Sequence, residues 1–303
     1  MKILFMGTPD YATIIFKEIL AQEDMKLIGL FTQPDKPVGR KKILTPPHIK
    51  QYCLDNSIDI PIFQPNNLKD EETTKQIKES NPDFIVVAAY GQILPQSILD
   101  IAPCINLHAS LLPKYRGASP IQQSILNDDK YTGVTSMLME AGLDSGDILG
   151  YRYVEIKDKD VGMLFDELSA EASKLTIDTL RNFDSIKPIK QNSSDVSFCK
   201  KITKDDGEIE LNDAKDVEIR YRAYRYWPEV YLSSKLKLKE LNIKEMTSSN
   251  QAREIKEIGK DYAIIGCTKG SLRISIVQPN SKKAMNIADY LRGKRLEIGD
   301  ILE

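Results

Sequence analysis

The chain has 303 residues, 41% of them hydrophobic, enough for two domains with ordinary cores; no apolar run approaches the roughly 18 residues of a membrane span, so no membrane role is expected. Its formal charge of −2 divides into −5 over residues 1–190 and +3 over 191–303, a mild asymmetry that permits nucleic-acid contacts in the carboxyl-terminal part. Four dispersed cysteines without a Cys-x-x-Cys pair, and only two histidines, argue against a structural zinc site and suit reduced thiols in a cytoplasm.

Residues 1–7 lack a signal peptide's cleavage pattern, and 2–6 read as a first strand. A turn over 7–10 leads into a helix over 11–20, a strand over 27–32, a helix over 47–56, a short strand over 60–63, a helix over 70–79 and a buried strand over 84–90. Short strands follow at 104–107 and 134–139. The spacing of Leu164, Leu168, Ala172 and Leu175 predicts a long amphipathic helix over 162–183 that closes the domain against its core. Apolar strands separated by helices specify an α/β fold with a parallel, doubly wound sheet, in which ligands sit at the carboxyl ends of the strands. Gly7, Tyr90, Gly91, His108 and Asp144 all fall near such ends. The turn Gly7-Thr8-Pro9-Asp10 is not G-x-G-x-x-G and no Walker-type loop occurs, so neither a dinucleotide nor a nucleoside triphosphate is indicated. Residues from 185 onward turn polar and contain proline, and the charged stretch 200–207 has no period, so this region reads as a linker. Beyond it a helix over 217–226 ends at Trp227-Pro228. Short alternating segments at 230–232, 236–243, 262–267 and 272–277 then suggest a small β-barrel, closed by one or two helical turns over 285–291.

The chemistry concentrates at Asn106-Leu107-His108. Residues two apart on a strand share a face, so the amide and the imidazole are presented together. After the next strand, Gly142-Leu143-Asp144-Ser145-Gly146-Asp147 supplies glycine-flanked carboxylates. An imidazole exchanges protons near neutral pH, a carboxylate beside it would fix its tautomer, and an asparagine NH2 donates to an oxyanion. That set suits acyl transfer through a tetrahedral intermediate. No serine or cysteine stands in a nucleophile elbow, which favours direct attack by an amine over a covalent acyl-enzyme. The plainer readings carry weight: a lone histidine at a strand end is more often a structural residue, and an aspartate between glycines more often a turn residue.

The run from Asn106 to Pro113, continued by Arg116-Gly117 and Pro120-Ile121-Gln122, resembles the signature of formyltransferases that use 10-formyltetrahydrofolate, and residues 142–147 resemble its second signature. Residues 5–10 and 31–40, with Arg222-Ala223-Tyr224 and Trp227-Pro228, resemble the branch of that family that formylates methionyl initiator tRNA. The resemblance covers nearly the whole chain and is weakest in the linker and over 245–260. It implies a Rossmann-like catalytic domain (1–188), a linker (189–207) and an OB-like, tRNA-binding carboxyl-terminal domain (208–303). It also implies a folate co-substrate without a metal, and a cytoplasmic role in translation initiation. A monomer is expected, since no apolar stripe lacks a core partner.

By position, Asn106, His108 and Asp144 match the family's catalytic residues, and Asp147 shapes the loop. Val86, Tyr90, Gly91, Ile93 and Leu94 resemble the pteridine-side wall, and Ser110, Leu111, Pro113 and Gly142 complete the implied folate set. The basic loop over 34–48, with Lys36, Arg40, Lys41 and Lys42, corresponds to one that enters the acceptor stem, and Arg40 aligns with its key arginine. A glycine common between Arg40 and Lys41 is missing here, and Ser119 stands where alanine is common. Lys235, Lys237, Lys239, Arg292, Lys294 and Arg295 suit a phosphate track; alternating lysines equally suit an edge strand blunted against aggregation. Two alternatives remain open: the same chemistry on an amino sugar or glycinamide ribonucleotide, which the basic loop and barrel argue against, and an RNA-binding protein with little catalysis.

Overall fold

Five of the six residues in the first strand, β1 (Lys2–Gly7), are buried, as a strand covered on both faces requires. The computed structural model describes residues 1–39 and 41–303, which divide by contact into two units, 1–120 with 131–155 and 164–199, and 121–130 with 156–163 and 200–303. After β1 come α1 (Asp10–Leu20), β2 (Lys26–Phe31), β3 (Lys36–Val38), β4 (Ile43–Thr45), α2 (His48–Asp55), β5 (Ile62–Phe63), α3 (Glu71–Ser80), β6 (Phe84–Ala88), α4 (Gln96–Leu99) and β7 (Cys104–His108). Then follow β8 (Arg116–Gly117), α5 (Pro120–Leu126), β9 (Tyr131–Leu138), β10 (Ile148–Glu155), α6 (Val161–Asn182) and β11 (Phe198–Cys199).

Seven strands form one sheet in the order β10-β9-β7-β6-β1-β2-β5. Five of them, β5 to β7 in that order, run parallel. The chain leaves β1 towards β2 and β5, then returns to the other side of β1 as β6 and β7. Strand order therefore reverses between β1 and β6, the place where an open α/β sheet offers a crevice at its carboxyl ends. Helix α1 buries Tyr11, Ile15 and Ile19 at four-residue spacing, and Phe16 meets Phe5 edge-on at 5.4 Å. A Cβ on Gly7 would lie 2.5 Å from that of Ala12, so only glycine lets α1 start so close to the strand.

Three features depart from the sequence expectation. The parallel pattern stops at one edge, where β9 runs antiparallel to β7 and β10 antiparallel to β9. The connection 139–147 is shorter than the dozen or so residues a parallel crossover needs. The basic loop contains a two-stranded hairpin, β3 against β4, pairing Lys36 with Thr45 and Val38 with Ile43. The stretch read as a linker carries β11, which pairs in parallel with β8, and Ile189 exchanges two backbone hydrogen bonds (2.8 and 2.9 Å) with Ile148.

The second unit contains α7 (Ala214–Ala223), β12 (Lys237–Ser249), β13 (Ile255–Ile258), β14 (Ala263–Gly266), β15 (Lys269–Gln278), β16 (Met285–Asn286) and α8 (Ile287–Lys294). Its sheet is antiparallel, in the order β12-β15-β14-β13 with β16 beside β15. The inward residues Leu238, Ile255, Ile265, Leu272, Ile274 and Val277 make its core with Ile287 and Leu291 of α8. Asn286 caps α8 by accepting the Ala288 N–H at 2.7 Å. No helix of the described residues is long and apolar enough to cross a membrane.

Candidate active site

Strand β7 has neighbours on both sides, so all five of its residues are buried and its polar members are held away from bulk water. Asn106 and His108 keep only 9% and 7% of their surface. The Asn106 amide makes no side-chain hydrogen bond among the described residues, so its NH2 is left for something else. Its amide is not among the fully buried unpartnered groups, so the N and O keep access to the crevice at the strand end, where a ligand can meet them.

The imidazole of His108 is clamped. Its Nε2 lies 2.9 Å from the Tyr115 carbonyl. A carbonyl only accepts, so Nε2 carries a proton and donates it. The other nitrogen, Nδ1, faces Asp144 Oδ2 at 3.7 Å. The expectation that Asp144 fixes the tautomer therefore gives way. The Tyr115 carbonyl does that, and Asp144 stands beyond hydrogen-bond reach opposite the second nitrogen.

Asp144 has its own supports. Its backbone is left-handed (φ 48°), a conformation aspartate tolerates better than most residues. Oδ2 accepts the Gly117 N–H at 2.8 Å, and the Asp144 and Gly146 carbonyls each accept Gln191 Nε2 at 2.8 Å. Gln191 Oε1 in turn accepts Nη2 and Nε of Arg116 at 2.7 and 3.1 Å. Gly117 sits at φ 121° against β11, where a Cβ would lie 2.3 Å from the Cys199 carbonyl oxygen. The Cys199 thiol is buried, accepts the Ser119 N–H at 3.3 Å, and is pushed up chiefly by that burial.

The residues expected to line a folate separate into two groups. Val86, Tyr90 and Leu94 are buried, and the Tyr90 ring packs with Leu94, Ile77 and Ile98 in the core. Burial pushes the Tyr90 phenol up to about 12, and its hydroxyl finds no partner among the described residues. What Tyr90 offers at the strand end is its carbonyl, which accepts Thr8 Oγ1 at 3.1 Å and Gln33 Nε2 at 3.2 Å. Gly91 is left-handed, and Ile93 is 79% exposed. Ser110 is buried and donates to the Lys114 carbonyl at 2.6 Å, while Leu111 and Pro113 are half-buried beside it. A Cβ on Gly142 would fall 2.1 Å from Ser145 Oγ, so this glycine closes the loop that carries Asp144.

The candidate tRNA contacts also separate. Lys36, Lys41 and Lys42 are exposed on the β3–β4 hairpin, beside Val38, Ile43 and Leu44, which are more than half exposed. Arg40 lies outside the described residues. At the hairpin's base Asp35 accepts Gln64 Nε2 at 2.7 Å and Lys50 Nζ at 2.9 Å, which hold its carboxyl below the usual range. In the second unit Lys237 and Lys239 both grip Glu229, and Lys235 pairs with Glu208 at 2.7 Å. Arg292 pairs with Asp289 at 3.0 Å, one turn back on α8. Lys294 and Arg295 are exposed and have no ion pair among the described residues. Of the alternating lysines, Lys235 is thus matched by Glu208, and Lys237 and Lys239 share the single charge of Glu229.

Sequence reading missed Tyr115, Gly117 and Gln191. Two of them act through backbone groups, which leave no side-chain signal. Gln191 sits in a polar stretch that looks like any linker.

Residues 1–180 match the model of the formyl transferase family, and 201–295 match its carboxyl-terminal domain. The chain is 54% identical over 301 residues to a protein of Nitratiruptor sp. named methionyl-tRNA formyltransferase, covering 99% of each. It is 52% identical over 303 residues to one of the same name from Sulfurimonas denitrificans, covering all of both. Its fold is similar to that of an N-formyltransferase from Helicobacter canadensis solved with folinic acid and dTDP-3-aminofucose, at TM-score 0.66 and 17% identity over 92% of this chain and 100% of that one.

Proposed function

The chain belongs to the formyl transferase family, and we propose that it moves the formyl group of 10-formyltetrahydrofolate onto the α-amine of methionyl initiator tRNA. One observation carries this reading. An unpartnered amide, an imidazole and a carboxylate meet at the carboxyl end of β7, in a chain about half identical over its whole length to proteins named for that reaction.

The folate supplies the activated formyl group, and residues 1–188 act as the catalytic domain. Asn106 donates its free NH2 to the oxyanion that develops as the amine attacks, directly and without an acyl-enzyme. The attacking amine must lose one proton and the departing folate nitrogen must gain one. His108 and Asp144 face each other across 3.7 Å, so the pair takes the first and returns the second with no net change. Tyr115 keeps the ring in one tautomer throughout, leaving Nδ1 as the exchanging nitrogen. Gly91, Ile93, Ser110, Leu111, Pro113 and Gly142 border the folate. Val86, Tyr90 and Leu94 form the core that supports that wall.

The exposed hairpin brings Lys36, Lys41 and Lys42 to the acceptor stem, with Arg40 between them in sequence. Residues 208–303 serve as the tRNA-binding domain. There Lys294 and Arg295, which form no ion pair among the described residues, carry the phosphate contacts more than Lys235, Lys237 and Arg292, which do. The protein works as a cytoplasmic monomer at translation initiation.

The test is formylation of methionine-charged initiator tRNA by the purified chain with 10-formyltetrahydrofolate, beside free methionine and a UDP-amino-sugar. Product on the tRNA alone is expected. Product on the sugar nucleotide, or formate release alone, overturns the choice of acceptor.

A further inference from the structure

Asp144 has no hydrogen bond to the imidazole it faces, so its place depends on what holds the loop 142–147. The Leu138 N–H to the Asp147 carbonyl (2.9 Å) and Ser145 Oγ to Glu140 (2.6 Å) tie the loop to the end of β9, and two contacts from more distant segments act at Asp144 and Gly146. One is the Gly117 N–H to the carboxylate. The other is Gln191, whose single NH2 donates to the carbonyls of both Asp144 and Gly146.

Gln191 is itself well placed for this. Two residues earlier, Ile189 is tied to Ile148 by a pair of backbone hydrogen bonds, which docks the segment onto the start of β10. The Gln191 Oε1 accepts both Nε and Nη2 of Arg116, the residue before Gly117. One amide thus joins the two arms of Asp144's support: the loop that bears it and the short strand that donates to it. An amide is required, because only it gives two N–H donors on one side and an acceptor on the other. Glutamate would keep the arginine and set an oxygen against two carbonyls.

We propose that Gln191 is a positioning residue for formyl transfer, acting through Asp144 and touching no substrate. This rests on the role for Asp144 given above. Partners that orient metal ligands in other enzymes typically matter by about 10–100-fold, and a loss of that order is expected for one that orients Asp144.

The experiment is a double-mutant cycle on the full chain. Gln191→Leu keeps the side chain's bulk, and Gln191→Glu keeps its shape and its arginine, so at least one is expected to fold, checked by the melting curve. Each is assayed for formyl transfer alone and combined with Asp144→Ala. The expected result is a kcat lowered about 10–100-fold in the single variants, with KM for the charged tRNA within about twofold of the parent. In the Asp144→Ala background the same changes cost less than about twofold, because the group they position is gone. Wild-type kcat in both single variants overturns the proposal, as does an equal loss in the two backgrounds, which marks a general structural role. If Asp144→Ala alone retains full turnover, the mechanism proposed for Asp144 fails first, and this one with it.

Discussion

Replacing Gly117 by alanine separates the contribution of Asp144's orientation from that of its charge, because the carboxylate is retained while one of its supports is lost. Gly117 sits at φ 121° and its new Cβ would meet the Cys199 carbonyl oxygen at 2.3 Å. Contacts of this kind stay above 3.0 Å, so β8 and β11 must part by at least about 0.7 Å. A shift of that size taken up by β8 away from Asp144 moves the Gly117 N–H from 2.8 Å to about 3.5 Å from Oδ2, the edge of hydrogen-bonding distance. Left-handed strain of about 1–3 kcal/mol adds to the loss of a charge-assisted hydrogen bond worth about 1.5–3 kcal/mol. Some relaxation offsets these, leaving a destabilisation of about 2–4 kcal/mol and a melting temperature lower by roughly 4–12 °C. Displacements near 1 Å in a reacting group cost about a hundredfold in rate, so kcat should fall by about that factor. Gly299→Ala is the control: φ there is 96° with nothing within 4 Å of a new Cβ, so strain acts without a clash and far in sequence from the site. The assays are thermal melting and single-turnover formyl transfer on both variants. Wild-type kcat in Gly117→Ala, with a melting temperature no lower than that of Gly299→Ala, would show that neither the close approach to Cys199 nor the bond to Asp144 matters.

Asn106→Ala should lower kcat by about 10²–10³-fold yet leave the melting curve nearly unchanged, since the amide bonds to none of the described residues; a large loss of stability would give it a structural role instead. Removing Lys41 and Lys42 together should flatten the dependence of tRNA affinity on salt by about 1.5 in the log–log slope, and an unchanged slope places both off the phosphates. Burial pushes Cys104 and Cys267 up to about 12 and Cys53 to about 11, so at pH 8 the thiolate of the first two is on the order of one part in ten thousand. A thiol reagent should therefore react slowly with the native chain and with all four cysteines once it is unfolded, and a fast native reaction contradicts the packing. Burial raises Glu229, but hydrogen bonds from Lys237 and Lys239 outweigh it and hold the carboxyl below its ordinary value. A group lowered on folding stabilises above its unfolded pKa and loses that effect as pH falls through the folded one. Glu229→Gln should thus melt below the wild type at pH 7 and converge on it as the pH falls below the ordinary carboxylate range; a gap that persists in strong acid points to packing rather than charge.

Much of the first unit is legible from periodicity. The buried runs of β1 and β6, and the four-residue spacing in α1, follow from what each segment must hide. The same alternation puts Asn106 and His108 on one face without any knowledge of the fold. The hairpin β3–β4 escapes such reading because both of its strands are exposed and carry no burial signal. Strand β10 escapes it because Tyr151, Arg152 and Tyr153 lie on a sheet edge, half-buried or exposed, with little alternation to mark them. Tyr90 and Leu94 read naturally as a ligand wall, and only packing against Ile77 and Ile98 reveals them as core.

The sequence by itself determined the α/β order, the crevice at the strand ends and the pairing of amide with imidazole, because these depend on neighbours within a few residues. Tertiary structure alone decided how the imidazole is held, what supports Asp144, and that a polar stretch after α6 returns as Gln191 and β11 to brace the site. Gly117 lies 27 residues from Asp144 and Gln191 lies 47. A hydrogen bond across such distances joins groups that every residue or every glutamine possesses. Which pairs meet is set only when the assembled sheet and its loops bring their backbones together.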